Sequence, residues 1–261
     1  MIRMSGVSRT FEGRSGRVEA LRGLDLDVAE GEFVAVLGRS GCGKSTLLRL
    51  IAGLLPLTSG EITVADTPIT RPRRDIAMLF QKPALLPWRS VLDNVLLPVE
   101  IFGWSRTKHR ERARQLLDVA GLSGFEKRLP HELSGGMQQR VSLCRSLIGE
   151  PRVMLMDEPF SALDALTREE LSGELQRVHM ENKPTIVFVT HSIDEAVLLA
   201  DRVVVLSPRP GRIRKVVEVA IPRPRTLGRN AHLADVAQVS ADLHELLMER
   251  DQPAAAGAEG R

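Results

Sequence analysis

Four short stretches are apolar at almost every consecutive position: Phe33–Leu37, Val153–Met156, Thr185–Val189 and Val203–Leu206. A strand with one wet face alternates, so these unbroken runs predict strands buried on both faces of a parallel sheet. Helical spacing follows three of them, over Lys44–Leu55, Ala165–His179 and Ser192–Ala200. Strands alternating with helices predict βαβ units and an α/β fold with helices on both sheet faces.

Residues 88–149 read differently, as helices without a strand. Arg106–Ala120 gathers Ala113, Leu116, Leu117 and Ala120 on one face opposite its charges, and Gly121 stands where a helix end is capped. A second helix is predicted after Ser134, with Val141, Cys144, Leu147 and Ile148 at spacings of three and four. The segment predicts an inserted helical lobe. Beyond Ile221 comes Pro-Arg-Pro-Arg and then an amphipathic helix carrying Leu233, Val236, Val239, Leu243, Leu246 and Leu247. Packing, dimerisation and regulation are all open to that helix. The last ten residues, rich in Ala and Gly, are expected to be disordered.

With 261 residues and 43% hydrophobic content, the chain suits one large α/β unit bearing the lobe. It has no run of about eighteen uncharged apolar residues and no signal-peptide layout at its start, so no membrane span is expected. Its two cysteines, Cys42 and Cys144, are too few for a disulfide framework and suit a reducing cytoplasm. A net charge of +3 is far from the basic field of a dedicated nucleic-acid binder. One stretch is locally basic, with Arg209, Arg212, Arg214, Lys215, Arg223, Arg225 and Arg229. It reads as a solvated loop, or as a face for acidic headgroups or a partner's acidic loop.

The chemistry begins at Gly38-Arg39-Ser40-Gly41-Cys42-Gly43-Lys44-Ser45-Thr46, which fits G-x-x-x-x-G-K-[ST] between a strand and a helix. Gly38, Gly41 and Gly43 let the backbone curl so that successive N–H groups face inward, and the helix adds its positive dipole end. A nucleoside polyphosphate is the fitting ligand. Lys44 can reach its terminal phosphates and the Ser45 hydroxyl can ligate Mg²⁺, which prefers hard oxygens. Cys42 sits in this loop as an alkylation-sensitive position without a chemical role. Asp157 and Glu158 close the strand from Val153 at the sheet's carboxyl edge, where open α/β folds bind ligands. Neighbours on a strand point opposite ways, which gives Asp157 to the metal and Glu158 to the attacking water. Alone, such a pair serves equally as a helix cap. The strand from Thr185 brings Thr190 and His191 to the same edge.

Leu133-Ser-Gly-Gly-Met-Gln-Gln-Arg140, followed by Asp157-Glu158 and Ser161-Ala-Leu-Asp164, resembles the nucleotide-binding subunits of ABC transporters. The resemblance covers roughly residues 2–225. It implies a P-loop NTPase (RecA-like) core with a mainly parallel sheet, an N-terminal antiparallel β portion and the helical lobe. Its ATPase domain would span 1–225 (core about 1–87 and 150–225, lobe about 88–149), leaving 226–261 as a terminal helix and tail. It implies ATP and Mg²⁺ as ligands, His191 as a switch histidine donating to the γ-phosphate from a neutral ring and relaying geometry to Glu158, and Gln81 reaching the metal and water. Phe11 would stack on adenine, although ordinary core remains open to it. It also implies a head-to-tail homodimer in which Ser134, Gly135, Gly136 and Gln138 close over the partner's ATP. The residue types agree, since Ser134 suits a helix N-cap and the glycines allow close approach.

Leu85-Leu-Pro-Trp88 and Ser207-Pro-Arg-Pro-Gly211 are similar to importers of nitrate, sulfonate and taurine. That likeness implies transmembrane permease subunits docked near Gln81 and Trp88, an indirect substrate-binding protein, and a peripheral place on the cytoplasmic face of the cell membrane. Ser142–Leu147 departs from the family's alanine-rich run, and Ser192 stands where Asp commonly follows the histidine. Two other readings remain, an ABC ATPase acting on DNA or ribosomes and a small-molecule P-loop kinase. The first lacks its usual coiled-coil insertion or tandem cassette, and the second leaves Leu133–Gln139 without a purpose.

Overall fold

The computed structural model describes residues 1–13, 16–161, 163–226 and 232–248. In chain order it forms β1 (Ile2–Gly13), β2 (Gly16–Val28), β3 (Phe33–Leu37), α1 (Lys44–Ile51), β4 (Ser59–Val64), β5 (Thr67–Pro68) and β6 (Ile76–Leu79). The lobe follows as α2 (Val91–Val95), α3 (Leu97–Ile101), α4 (Arg106–Val119), a 3₁₀ turn at Pro130–Glu132 and α5 (Gly135–Leu147). The chain then returns as β7 (Val153–Asp157), α6 (Ala165–Asn182), β8 (Thr185–Thr190), α7 (Ile193–Leu199), β9 (Arg202–Leu206), β10 (Ile213–Glu218) and α8 (Leu233–Met248).

Two sheets result. Strands in the order β2-β1-β4-β5 make an antiparallel sheet, and β10-β9-β3-β8-β7-β6 make a sheet that is parallel except for β10. The unbroken apolar runs lie in the second sheet. Along β3, Phe33, Ala35 and Leu37 enter one core with α6 and α7, while Val34 and Val36 enter another with α1 and the antiparallel sheet. A strand buried on both faces has no polar position to alternate with. Helix α1 stops at Ile51, short of the expected Leu55, because the Leu54 and Leu55 N–H groups both turn back to the Arg49 carbonyl.

The lobe has its own core, in which Ala113, Leu117 and Ala120 of the α4 segment meet Val141, Cys144 and Ile148 of the α5 segment. Leu143 and Leu147 on α5 instead enter the core of the large sheet. Helix α5 is thus apolar on two sides, one for each body, where its sequence spacing predicted a single stripe. Helix α8 lays Leu243, fully buried, with Val236, Val239, Leu246 and Leu247 onto the large-sheet core, whereas Leu233 is exposed. Among the described residues no helix is long and apolar enough to cross a membrane. The Ala- and Gly-rich tail and Arg229 lie outside the described residues.

The basic stretch is not one solvated loop. Arg223 reaches the Asp201 carboxylate and the Leu199 carbonyl, both at 2.5 Å. Arg225 is 4% exposed and donates to the carbonyls of Ile221, Val197, Ala200 and Val219. The last carbonyls of α7 have no partner within the helix, so a buried guanidinium with several donors meets that need. Arg214 donates to the Leu246 carbonyl at the end of α8, and Arg209 reaches the phosphate loop.

Candidate active site

The loop from Gly38 to Gly43 joins β3 to α1, and its geometry depends on Gly43. There φ is +105°, and a Cβ would lie 2.6 Å from Leu21 Cδ2 and 2.8 Å from the Ala20 carbonyl oxygen. No side chain fits at that position. The first residues of the helix that follows, Lys44, Ser45 and Thr46, line a cavity of about 340 Å³. Phe11, Val18, Ala20, Ser40, Gly41, Gly43, Lys44, Ser45, Thr46, Gln81, Glu158 and Arg209 line it. Phe11 is half-buried there under the Arg9 guanidinium, 4.6 Å from the ring centre, so it is not ordinary core. A larger cavity of about 480 Å³ opens at the other edge of the sheet. Three of its basic residues, Arg112, Arg152 and Arg177, pair with Glu150, Glu30, Glu174 and Glu181, and no residue of the phosphate loop reaches it.

Polar groups converge on Glu158. Gln81 Nε2 donates to Glu158 Oε2 at 3.5 Å, His191 Nδ1 lies 3.2 Å from the same oxygen, and Lys44 Nζ is 3.9 Å from Oε1. Lys44 itself is buried and donates to the Gly38 and Arg39 carbonyls at 2.7 and 3.3 Å. Strand β7 ends at Asp157, and Glu158 leaves it with φ of +46°. The two carboxylates are therefore separated by a left-handed turn rather than by strand alternation. For a residue with a Cβ that conformation is strained, and such strain gathers at functional sites.

Ser45 Oγ donates to Asp157 Oδ1 at 2.9 Å. Asp157 is 5% exposed, and burial pushes its carboxyl above the usual range. A buried carboxylate beside a hydroxyl, short of compensating charge, is a donor set that fits a hard divalent cation. Glu158 is acceptor-only when ionised, so the His191 Nδ1 facing it carries a hydrogen. A neutral His191 ring then has a bare Nε2. Donation to a phosphate from the neutral ring, as expected from sequence, requires His191 to release Glu158; otherwise the ring carries both hydrogens.

Around this centre lie contacts that sequence reasoning missed. Thr190 Oγ1 donates to the buried Glu195 at 2.5 Å, and Arg168 Nε of α6 is 3.6 Å from the other Glu195 oxygen. Ser192 caps α7 by accepting from the Glu195 N–H, as Asp would. The half-buried Arg145 of α5 donates to the carbonyls of Pro83 and Ala84, tying that helix to the loop after Gln81. Such contacts join residues far apart in the chain and leave no local pattern. Cys42 is 1% exposed, and burial raises its thiol. It is shielded, contrary to the expectation of an alkylation-sensitive site, because it is packed against Gly38.

At the other motif, Ser134 caps α5 by accepting from the Met137 N–H at 3.3 Å. Gly135 faces open space, whereas Gly136 lies against Leu163. Gln138 differs from them, since its amide donates back to the Pro130 and Leu133 carbonyls and braces the turn before the helix. None of the four lines the cavity over the chain's own phosphate loop.

The ABC transporter family model matches residues 21–161. The taurine import ATP-binding protein TauB of Rhizobium johnstonii is 47% identical over 82% of this chain and 82% of its own length. The chain belongs to the ABC transporter family. The aliphatic sulfonates import ATP-binding protein SsuB of Bacillus cereus is 41% identical over 86% of this chain and 88% of its own length. A dimeric post-hydrolysis state of the ATP-binding cassette MJ0796, bound to ADP and Pi, superposes with a TM-score of 0.78 at 33% identity. It covers 85% of this chain and 100% of that one. This ABC chain is accordingly an ATP-binding, ATP-hydrolysing cassette with the expected P-loop core, antiparallel β portion and helices.

Proposed function

We propose that this chain powers an importer of small molecules of the taurine or aliphatic sulfonate kind, as a homodimer held under permease subunits at the cytoplasmic face of the membrane. The observation that carries the catalytic part is the convergence of Gln81, His191 and Lys44 on Glu158, above a loop shaped for phosphates. The relatives named for taurine and sulfonate import favour transport over a role on nucleic acid.

In this reading the N–H groups of residues 38–46 wrap the polyphosphate and Phe11 stacks on the base. Lys44 exchanges the Gly38 and Arg39 carbonyls for phosphate oxygens. Ser45 and Asp157 would hold Mg²⁺ with help from Gln81, and the ion when bound would supply charge neutralisation at the phosphates. Glu158 polarises the attacking water, while His191 and Gln81 hold its carboxylate in place. Ser134, Gly135 and Gly136 present the start of α5 to the partner's γ-phosphate, with Gln138 bracing them. A γ-phosphate bound by one subunit's loop and the other's helix favours the closed dimer, and its loss on hydrolysis removes that preference.

A mainly apolar groove of about 330 Å³ between core and lobe suits a permease segment, with Phe80, Leu97, Ile101 and Trp104 in its lining. Ile101 is 66% exposed at this groove, and Trp88 elsewhere on the lobe is 72% exposed. Arg145 links the loop after Gln81 to α5, so a push on the groove reaches both the water site and the signature helix. Co-expression with permease subunits of a taurine- or sulfonate-type importer tests the assignment. The chain should co-purify with membranes and Ile101→Asp should release it without weakening ADP binding. Wild-type chain that stays entirely in the soluble fraction would contradict the reading.

A further inference from the structure

The Ser207-Pro-Arg-Pro-Gly211 segment has no part in the mechanism above, yet it is built against the phosphate loop. Its ends are closed by the Ser207 N–H donating to the Arg212 carbonyl at 2.9 Å. Ser207 Oγ donates to the Pro208 and Pro210 carbonyls at 3.0 and 3.1 Å. Gly211 pairs with β2, its N–H donating to Ala20 and its carbonyl accepting from Arg22. A Cβ on Gly211 would lie 2.2 Å from the Cys42 carbonyl oxygen, so the segment touches the phosphate loop along its backbone. From this frame Arg209 extends over the loop, and its Nε and Nη2 both donate to the Gly41 carbonyl at 3.2 Å. Its side chain also lines the cavity shared by Phe11, Lys44 and Ser45. Among the described residues it has no carboxylate partner.

A loop whose N–H groups turn inward must turn carbonyls outward. In this loop Lys44 holds the carbonyls of Gly38 and Arg39, and Arg209 holds that of Gly41. We propose that Arg209 is a positioning residue of the nucleotide site: it fixes the Gly41 carbonyl outward and adds a positive charge, from outside the phosphate loop, to the space the phosphates occupy. The fork of the guanidinium is what permits two donors on one acceptor, which lysine cannot reproduce. Because Arg209 is exposed, its loss removes no core packing.

This deepens the assignment of residues 38–46 as the nucleotide site and rests on it. ADP is titrated into the wild type, Arg209→Ala, Arg209→Lys and Lys44→Ala at low and high salt. Arg209→Ala should weaken ADP about ten-fold at low salt, the scale of one charge-assisted contact. Arg209→Lys should recover part of the loss, and the salt dependence should be shallower in Arg209→Ala, since a cation is gone. The KM for ATP should rise by more than kcat falls. Arg209→Ala binding ADP like the wild type, while Lys44→Ala does not bind, would overturn the Arg209 role alone. So would equal weakening in both Arg209 variants together with a lowered unfolding temperature, which is the mark of mere loop support. Normal binding by Lys44→Ala would overturn the site itself.

Discussion

Replacing Arg225 by Met tests whether the carboxyl-terminal end of α7, the helix that begins just after His191, is held by a buried cation. The guanidinium donates four hydrogen bonds to backbone carbonyls, two of them at the end of α7. Leaving four buried carbonyls unpaired at about 1.5 kcal/mol each costs about 6 kcal/mol. Against this stands the cost of burying the charge, which lowers the Arg225 pKa to about 10 and corresponds to about 3 kcal/mol. That folded pKa is far above neutrality, so this cost is constant at working pH. The net expectation is a loss of about 3 kcal/mol, or a fall of about 10 °C in the unfolding midpoint for a chain of this size. Thermal unfolding followed by circular dichroism reads it directly. A midpoint within about 2 °C of the wild type, less than 1 kcal/mol by the same scale, would mean that water or a small shift satisfies those carbonyls.

Glu158→Gln should retain ATP binding but release phosphate about 10²–10⁴ times more slowly, the usual contribution of a positioned base; normal turnover would remove Glu158 from the mechanism. Glu195 has its carboxyl raised from 4.5, chiefly by burial. Because the native state then holds a proton the unfolded chain has lost, stability should fall as pH rises from 4.5 through the raised native value. Glu195→Gln should flatten that slope in unfolding curves taken across the interval, and an unchanged slope would refute the assignment.

Much of the large sheet was legible because β3, β7, β8 and β9 are buried on both faces and carry no polar interruption. Strand β10 was missed, since its inner positions are only half-buried and Arg214 and Lys215 dilute its apolar residues. The phosphate loop was legible as a local spacing, and so were Asp157 and Glu158 at a strand end. The turn separating those carboxylates was not, because nothing in a glutamate announces a left-handed φ. Charge was the poorest guide. The residues around Pro222 looked like a wetted basic run, but Arg223 and Arg225 answer carbonyls on α7 that are more than twenty residues away in sequence. Gln138 shows a related limit: its place in the signature was readable, while its bonds to Pro130 and Leu133 depend on how the preceding turn packs.

The central claim is that each active site is completed by the partner's Ser134 segment, and mixed dimers test it. Lys44→Ala and Ser134→Arg proteins should each be inactive in ATP hydrolysis when assayed alone. Mixed in equal amounts, they form some dimers with one intact composite site, made of the Ser134→Arg chain's phosphate loop and the Lys44→Ala chain's signature. Such a mixture should regain about a quarter of wild-type activity if subunits exchange at random. Full activity of Ser134→Arg alone, or no recovery in a mixture shown to exchange subunits, would contradict the account.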